Sequence, residues 1–122
     1  MTAFILAVDD SSSMRMAVRA ALVGAGYSVT EACDGLDALG KAAGQRFDLV
    51  ITDLNMPNMD GLTLIRELRK SPLQSGVPIV FLTTESDEQF KAQARAAGAT
   101  GWLVKPFNAE QLTRIARKVI GR

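Results

Sequence analysis

Five short apolar runs recur along this chain, and a stretch of helical periodicity follows each one. The runs are Phe4-Ile5-Leu6-Ala7-Val8, Tyr27-Ser28-Val29-Thr30, Leu49-Val50-Ile51-Thr52, Ile79-Val80-Phe81-Leu82 and Trp102-Leu103-Val104. Most are continuous rather than alternating with polar residues. A strand with one wet face alternates; a strand covered on both faces does not. Between the runs, Met14, Val18, Leu22 and Ala25 repeat at helical spacing before Gly26. Leu36, Leu39 and Ala43 form a second stripe, and Leu62, Ile65 and Leu68 a third behind Asp60 as its cap. Phe90, Ala94 and Ala97 form a fourth, ended by Gly98. Leu112, Ile115, Val119 and Ile120 form the fifth, opened by Asn108 with Gln111 three residues on, a capping-box variant. Strand then helix, five times over, predicts an α/β fold: a five-stranded parallel sheet, doubly wound, with right-handed crossovers. Ser71 to Gly76 reads as a loop before the fourth strand.

The chain's 122 residues suffice for one domain, expected to span 1–122, with no room for a second effector domain. An apolar fraction of 48% against a net charge of +1 excludes intrinsic disorder and argues against a nucleic-acid binder. The absence of histidine excludes a Ser-His-Asp triad, a histidine-bound metal and an internal histidine phosphodonor. Cys33 is the single cysteine, so neither an internal disulfide nor a structural zinc is possible. It is expected to be buried and inert, in a reducing cytoplasmic setting. Ala3 to Val8 is too short for a signal peptide or a membrane span.

In open parallel sheets ligands bind beyond the carboxyl ends of the strands. The first run ends in Asp9-Asp10, the third in Asp53, the fourth in Thr83-Thr84 and the fifth in Lys105-Pro106. The second ends in Glu31-Ala32 and offers little. Each of these alone has an ordinary explanation. An Asp after a strand caps a helix, Ser11-Ser12-Ser13 starts one, Thr is common in strands, and Asp34, Asp37 and Asp48 suit turns or caps. Together they bring three carboxylates, a hydroxyl and an ammonium to one rim. Clustered carboxylates raise one another's pKa unless something compensates, and a divalent cation such as magnesium does so. The set suits phosphoryl transfer with an aspartate as nucleophile.

The same residues resemble the receiver domain of two-component response regulators. The motifs are VDDS at 8–11, ITDLNMPNMDG at 51–61, FLTTE at 81–85 and GWLVKPF at 101–107, and the likeness runs from Ile5 to Ile120. Within that family the chain is similar to the stand-alone chemotaxis regulators of the CheY type. The resemblance implies a flavodoxin-like strand order 2-1-3-4-5 and a role for each matching position. Asp53 is the phosphoacceptor, and Asp9, Asp10, Asp53 and the backbone carbonyl of Asn55 hold Mg2+. Thr83 and Lys105 contact the phosphoryl group. Trp102 stands where the family keeps a switch aromatic, more often Tyr or Phe, and Asn55 and Glu85 tune the phosphoryl lifetime. Thr84 is larger than the alanine frequent at its position, which bears on access to the site. The resemblance also implies a Lys105–Pro106 cis peptide and a histidine kinase as phosphodonor. The target would bind at the face of the fourth helix, fifth strand and fifth helix, as a flagellar motor switch would. The protein is expected to be a monomer without turnover of its own. The alternatives within the family are a phosphate sink, a phosphorelay shuttle outside chemotaxis, and a degenerate receiver that works unphosphorylated. An aspartate-nucleophile phosphohydrolase fits less well, because its acid and nucleophile usually share the first strand. A flavin carrier would have to seat its phosphate beside Asp9 and Asp10.

Overall fold

The computed structural model describes residues 2–84 and 88–121. In chain order it contains β1 (Phe4–Val8), α1 (Ser12–Gly24), β2 (Ser28–Ala32), α2 (Gly35–Gly44), β3 (Leu49–Asp53), α3 (Gly61–Lys70), β4 (Ile79–Thr83), α4 (Glu88–Ala97), β5 (Gly101–Val104) and α5 (Ala109–Ile120). The sheet is parallel throughout, in the order β2-β1-β3-β4-β5. This is the expected flavodoxin-like winding.

The continuous apolar runs are explained by two cores, one on each face. Ile5, Ala7, Leu49, Ile51, Val80 and Leu82 point to one side and meet Val18 and Leu22 of α1 and Leu112 and Ala116 of α5. Leu6, Val8, Val50, Ile79 and Phe81 point to the other, against Ala38 and Ala42 of α2, Leu64, Ile65 and Leu68 of α3, and Ala94 of α4. Successive strand residues alternate between faces, so a strand covered on both must be apolar at every position.

Local signals fix the helix ends. Ser11, Asp34, Asp60 and Asn108 each accept a hydrogen bond from the backbone N–H three residues on. The Asn108–Gln111 capping box is complete. Two expectations need correction. The buried side of α2 is Gly35, Ala38 and Ala42, while Leu36 and Ala43 are exposed and Leu39 is only half-buried. Ala38 and Ala42 enter the core, Leu39 packs against its edge, and Leu36 faces outward. β2 begins at Ser28 and ends at Ala32, one residue later at its start and two at its end. The Ser71–Gly76 segment is more than a connection. It carries the fully buried Gln74, whose Oε1 accepts from Phe47 N at 3.2 Å and whose Nε2 donates to the carbonyls of Ala42 and Gln45 at 2.9 and 2.6 Å.

Candidate functional site

Parallel register brings the sequence-predicted residues together. Val8 of β1 pairs with Thr52 of β3, so Asp9 stands beside Asp53. Asp53 pairs with Leu82, one residue before Thr83, and Thr83 pairs with Val104, one residue before Lys105. Asp9, Asp53, Thr83 and Lys105 therefore occupy the carboxyl ends of four adjacent strands. They lie at the point where the winding reverses between β1 and β3, where such sheets open a crevice.

Lys105 sits between the carboxylates, its Nζ 3.5 Å from Asp9 Oδ2 and 3.4 Å from Asp53 Oδ2. Asp53 Oδ1 accepts the Leu54 N–H at 2.8 Å, which fixes the carboxylate plane and leaves Oδ2 toward the lysine. Asp9 Oδ1 accepts the Ser11 N–H at 3.0 Å. Asp9 Oδ2 is buried and, among the described residues, has no hydrogen-bond partner. Burial pushes the Asp9 carboxyl above its ordinary range. The Ser11 N–H and then Lys105 pull it back, and the charges of Asp53 and Asp10 push it further up. Asp10 is exposed. One carboxylate oxygen from each of Asp9, Asp10 and Asp53 lies within 4.8 Å of the others. A buried oxygen without a hydrogen bond, inside an all-oxygen set that repels itself, is what a hard divalent cation satisfies, so the residues fit magnesium.

The supports of this rim lie farther along the chain. Arg15, on the first turn of α1, donates to the Asp9 carbonyl at 2.7 Å and is held by Glu31 of β2, which Arg19 also meets. Glu31 thus acts on the site through Arg15, a link that only its opposite charge hinted at. Gly61 is required where α3 starts. A Cβ there would collide with the Asp53 carbonyl and lie 2.7 Å from Leu54 Cα. Asn55 is exposed in the loop between these elements. Lys105–Pro106 is cis, as expected. Ser11 is the cap of α1, so Ser11-Ser12-Ser13 is a helix start.

Trp102 is half-buried on β5. Its ring stacks on Phe81 with centroids 6.2 Å apart, and Lys91 Nζ and Arg95 Cζ of α4 lie 4.6 and 5.7 Å from its centroid. Glu85 lies outside the described residues, and Thr84 is exposed. Cys33 is exposed, contrary to expectation. It lies past the end of β2, in the turn before α2, where its N–H donates to Asp37.

The family described as the response regulator receiver domain matches residues 5–117. Chemotaxis protein CheY-3 of Vibrio cholerae is 39% identical over 119 residues, 97% of this chain and 92% of that protein. Chemotaxis protein CheY of Pseudomonas aeruginosa is 37% identical over 119 residues, 97% and 96% of the two chains. Among solved structures, V. cholerae chemotaxis protein CheY4 superposes with a TM-score of 0.95 at 46% identity, covering 98% of this chain and 99% of that one. The receiver domain of a P. aeruginosa sensor histidine kinase, solved with a magnesium ion coordinated in its active site cleft, aligns at 0.91 and 33% identity over 100% of both chains. Family match, near-full-length relatives, strand order and the rim of Asp9, Asp10, Asp53, Thr83 and Lys105 converge: this chain belongs to the response regulator receiver family and is of the CheY type.

Proposed function

We propose that Asp53 accepts a phosphoryl group from a phosphohistidine of a partner histidine kinase, and that the modified chain changes its affinity for a target protein. One observation carries this reading. Asp53 Oδ2 faces Lys105 at 3.4 Å, beside Asp9, whose buried Oδ2 shares that lysine at 3.5 Å and has no hydrogen-bond partner among the described residues. That rim suits an incoming dianion with its cation better than it suits itself. Asp53 Oδ2 attacks phosphorus, the P–N bond of the donor breaks, and its electron pair returns to the imidazole. Lys105 and the Thr83 hydroxyl take the oxygens of the transferred group. Asp9, Asp10, Asp53 and the Asn55 carbonyl would hold magnesium, which neutralises phosphoryl oxygens as a Lewis acid. Water later hydrolyses the acyl phosphate along a path that Asn55 and Glu85 flank in the family pattern.

The output face is that of α4, β5 and α5. Trp102 lies there under Lys91 and Arg95 on the α4 side of the sheet, and a groove of about 270 Å³ lies on the α5 side, lined by Leu103, Gln111, Arg114, Ile115 and Lys118. Chemotaxis is the pathway the relatives' names support, with the flagellar motor switch as target. We read residues 1–122 as one receiver unit, monomeric and cytoplasmic, that turns over only its own phosphoryl group. No helix among the described residues is long and apolar enough to cross a membrane.

The test is intact mass after incubation with magnesium and a small acyl phosphate. The wild type should gain one phosphoryl group and Asp53→Asn none. An undiminished gain in Asp53→Asn would move the acceptor elsewhere.

A further inference from the structure

We propose that Asp34 is a positioning residue, which through Asn58 holds the loop carrying the Asn55 carbonyl in place; this rests on the magnesium and phosphoacceptor reading above. The loop between β3 and α3 has two anchors. Its base is closed by Gly61 N donating to Leu54 O at 2.8 Å, directly beside Asp53. Its far end crosses to α2. Asn58 Nδ2 donates to Asp34 Oδ2 at 2.9 Å, while Asp34 Oδ1 accepts the Asp37 N–H at 2.8 Å and caps that helix. One carboxylate therefore ties the loop tip to the first turn of a helix. A second contact makes the seat tight. A Cβ on Gly35 would lie 2.8 Å from Met59 Cβ, so the loop rests on a helix start that only glycine leaves open.

Asn58 is the one described non-glycine residue at positive φ, 69°. Glycine would adopt that conformation more easily, so the backbone alone does not call for asparagine. What asparagine adds is the amide that reaches Asp34. Asn55 lies between the two anchors, and no hydrogen bond among the described residues holds it. Magnesium demands near-ideal octahedral geometry at about 2.0–2.1 Å. A carbonyl ligand on such a loop is only as well placed as its anchors. Asp34 stands outside the Asp9, Asp10 and Asp53 cluster, so it acts through the loop and not as a ligand.

A two-residue exchange tests this. Asn58→Asp alone sets two carboxylates against each other. Asp34→Asn alone keeps the helix cap but turns an amide donor toward an amide donor. The double variant reverses donor and acceptor, restores the bond and returns the net charge to that of the wild type. Magnesium affinity of the unphosphorylated protein should fall about tenfold in Asp34→Asn and Asn58→Asp, as for other outer-shell partners, and recover to within about twofold in the double variant. Pure electrostatics predicts tighter binding in Asn58→Asp, so the direction itself is diagnostic. Amide exchange at Met59 and Gly61, the loop amides that donate hydrogen bonds, should rise in both single variants of the metal-free protein and return in the double. Wild-type affinity in the single variants, or a double variant as weak as they are, would overturn the proposal. A wild type that binds no magnesium would instead sink the metal reading, and unchanged exchange at Met59 and Gly61 in the single variants would then also sink the anchor.

Discussion

The two rims of the sheet treat buried polar groups in opposite ways. At the amino-terminal side, Gln74 is fully buried and each polar atom of its side chain is used, on Phe47, Ala42 and Gln45. Arg69 does the same work nearby. Its guanidinium donates to the carbonyls of Gly98, Gln74, Ser75 and Val77 and ties the end of α4 to the loop before β4. At the carboxyl-terminal side, Asp9 is almost as buried, but its Oδ2 has no hydrogen bond among the described residues and shares Lys105 with a second of two neighbouring carboxylates. A satisfied buried group specifies the fold, and an unsatisfied one is strain that a ligand can relieve. The difference between the rims separates what builds this molecule from what the molecule binds.

That contrast predicts opposite signs for truncation. Gln74→Ala leaves an N–H and two carbonyls without partners and opens a void. It should cost about 3 kcal/mol in urea unfolding, since each unpaired buried group costs roughly 1–3 kcal/mol. Phosphorylation of Asp53 below the melting temperature should be unaffected. Asp9→Asn keeps the oxygen that accepts from Ser11 and removes a buried charge. The metal-free variant should be as stable as the wild type or up to about 1 kcal/mol more stable, while magnesium affinity drops about tenfold or more with the loss of a carboxylate ligand. A destabilised Asp9→Asn, or a Gln74→Ala that binds magnesium poorly at full occupancy of its fold, would erase the distinction between the rims.

The carboxyl rim was legible in the sequence and the amino rim was not, for a physical reason. Buried parallel strands write themselves as apolar runs, and the residue after each run falls at the rim, so Asp9, Asp53, Thr83 and Lys105 could be read off in order. Gln74 gave no such signal, because its partners lie 27 to 32 residues away and are backbone groups. The face of α2 is not legible from leucine spacing, because Ala38 and Ala42 face the core and Gly35 meets the Met59 loop, while Leu36 is exposed. Hydrophobicity ranks leucine first, whereas close packing here selects small residues. The residue type favours burial for Cys33, but its position in the turn between β2 and α2 leaves it exposed. The Asp34–Asn58 tie joins two loops that nothing in the spacing relates.

A smaller effect is expected on α4, whose only fully buried residue is Ala94, against four on α3. Lys91 and Arg95 over the Trp102 ring tie α4 directly to β5. Lys91→Met keeps the stem and drops the cation. It should cost about 0.5–1 kcal/mol and alter Trp102 emission. Beryllofluoride added at fixed magnesium should also shift that emission in the wild type, and Thr83→Ala should abolish the shift. Emission that ignores beryllofluoride while binding is shown independently would remove Trp102 from the switch.

The smallest effect sharpens the comparison from within the carboxyl rim. Asp37 lies on the first turn of α2, and its Oδ2 accepts the Cys33 N–H at 3.0 Å and meets Lys41 Nζ at 3.2 Å. The Cys33 N–H, with further help from Lys41, holds its carboxyl below the ordinary 3.8. A lowered folded-state pKa means that the unfolded chain binds the proton more readily. The stability this carboxylate contributes is therefore fully present above 3.8 and lost as pH falls through the lower folded value. Asp37→Asn should cost a few tenths of a kcal/mol at neutral pH, because the side chain is about a third exposed and screened by water. The gap from the wild type should close as pH falls through the lowered folded-state value. If 1 M salt removes the neutral-pH gap, Lys41 carries it; if the gap survives, the neutral Cys33 N–H does. A gap that widens with acid would mean that Asp37 resembles Asp9, and that the shortage of partners belongs to the whole rim rather than to its centre.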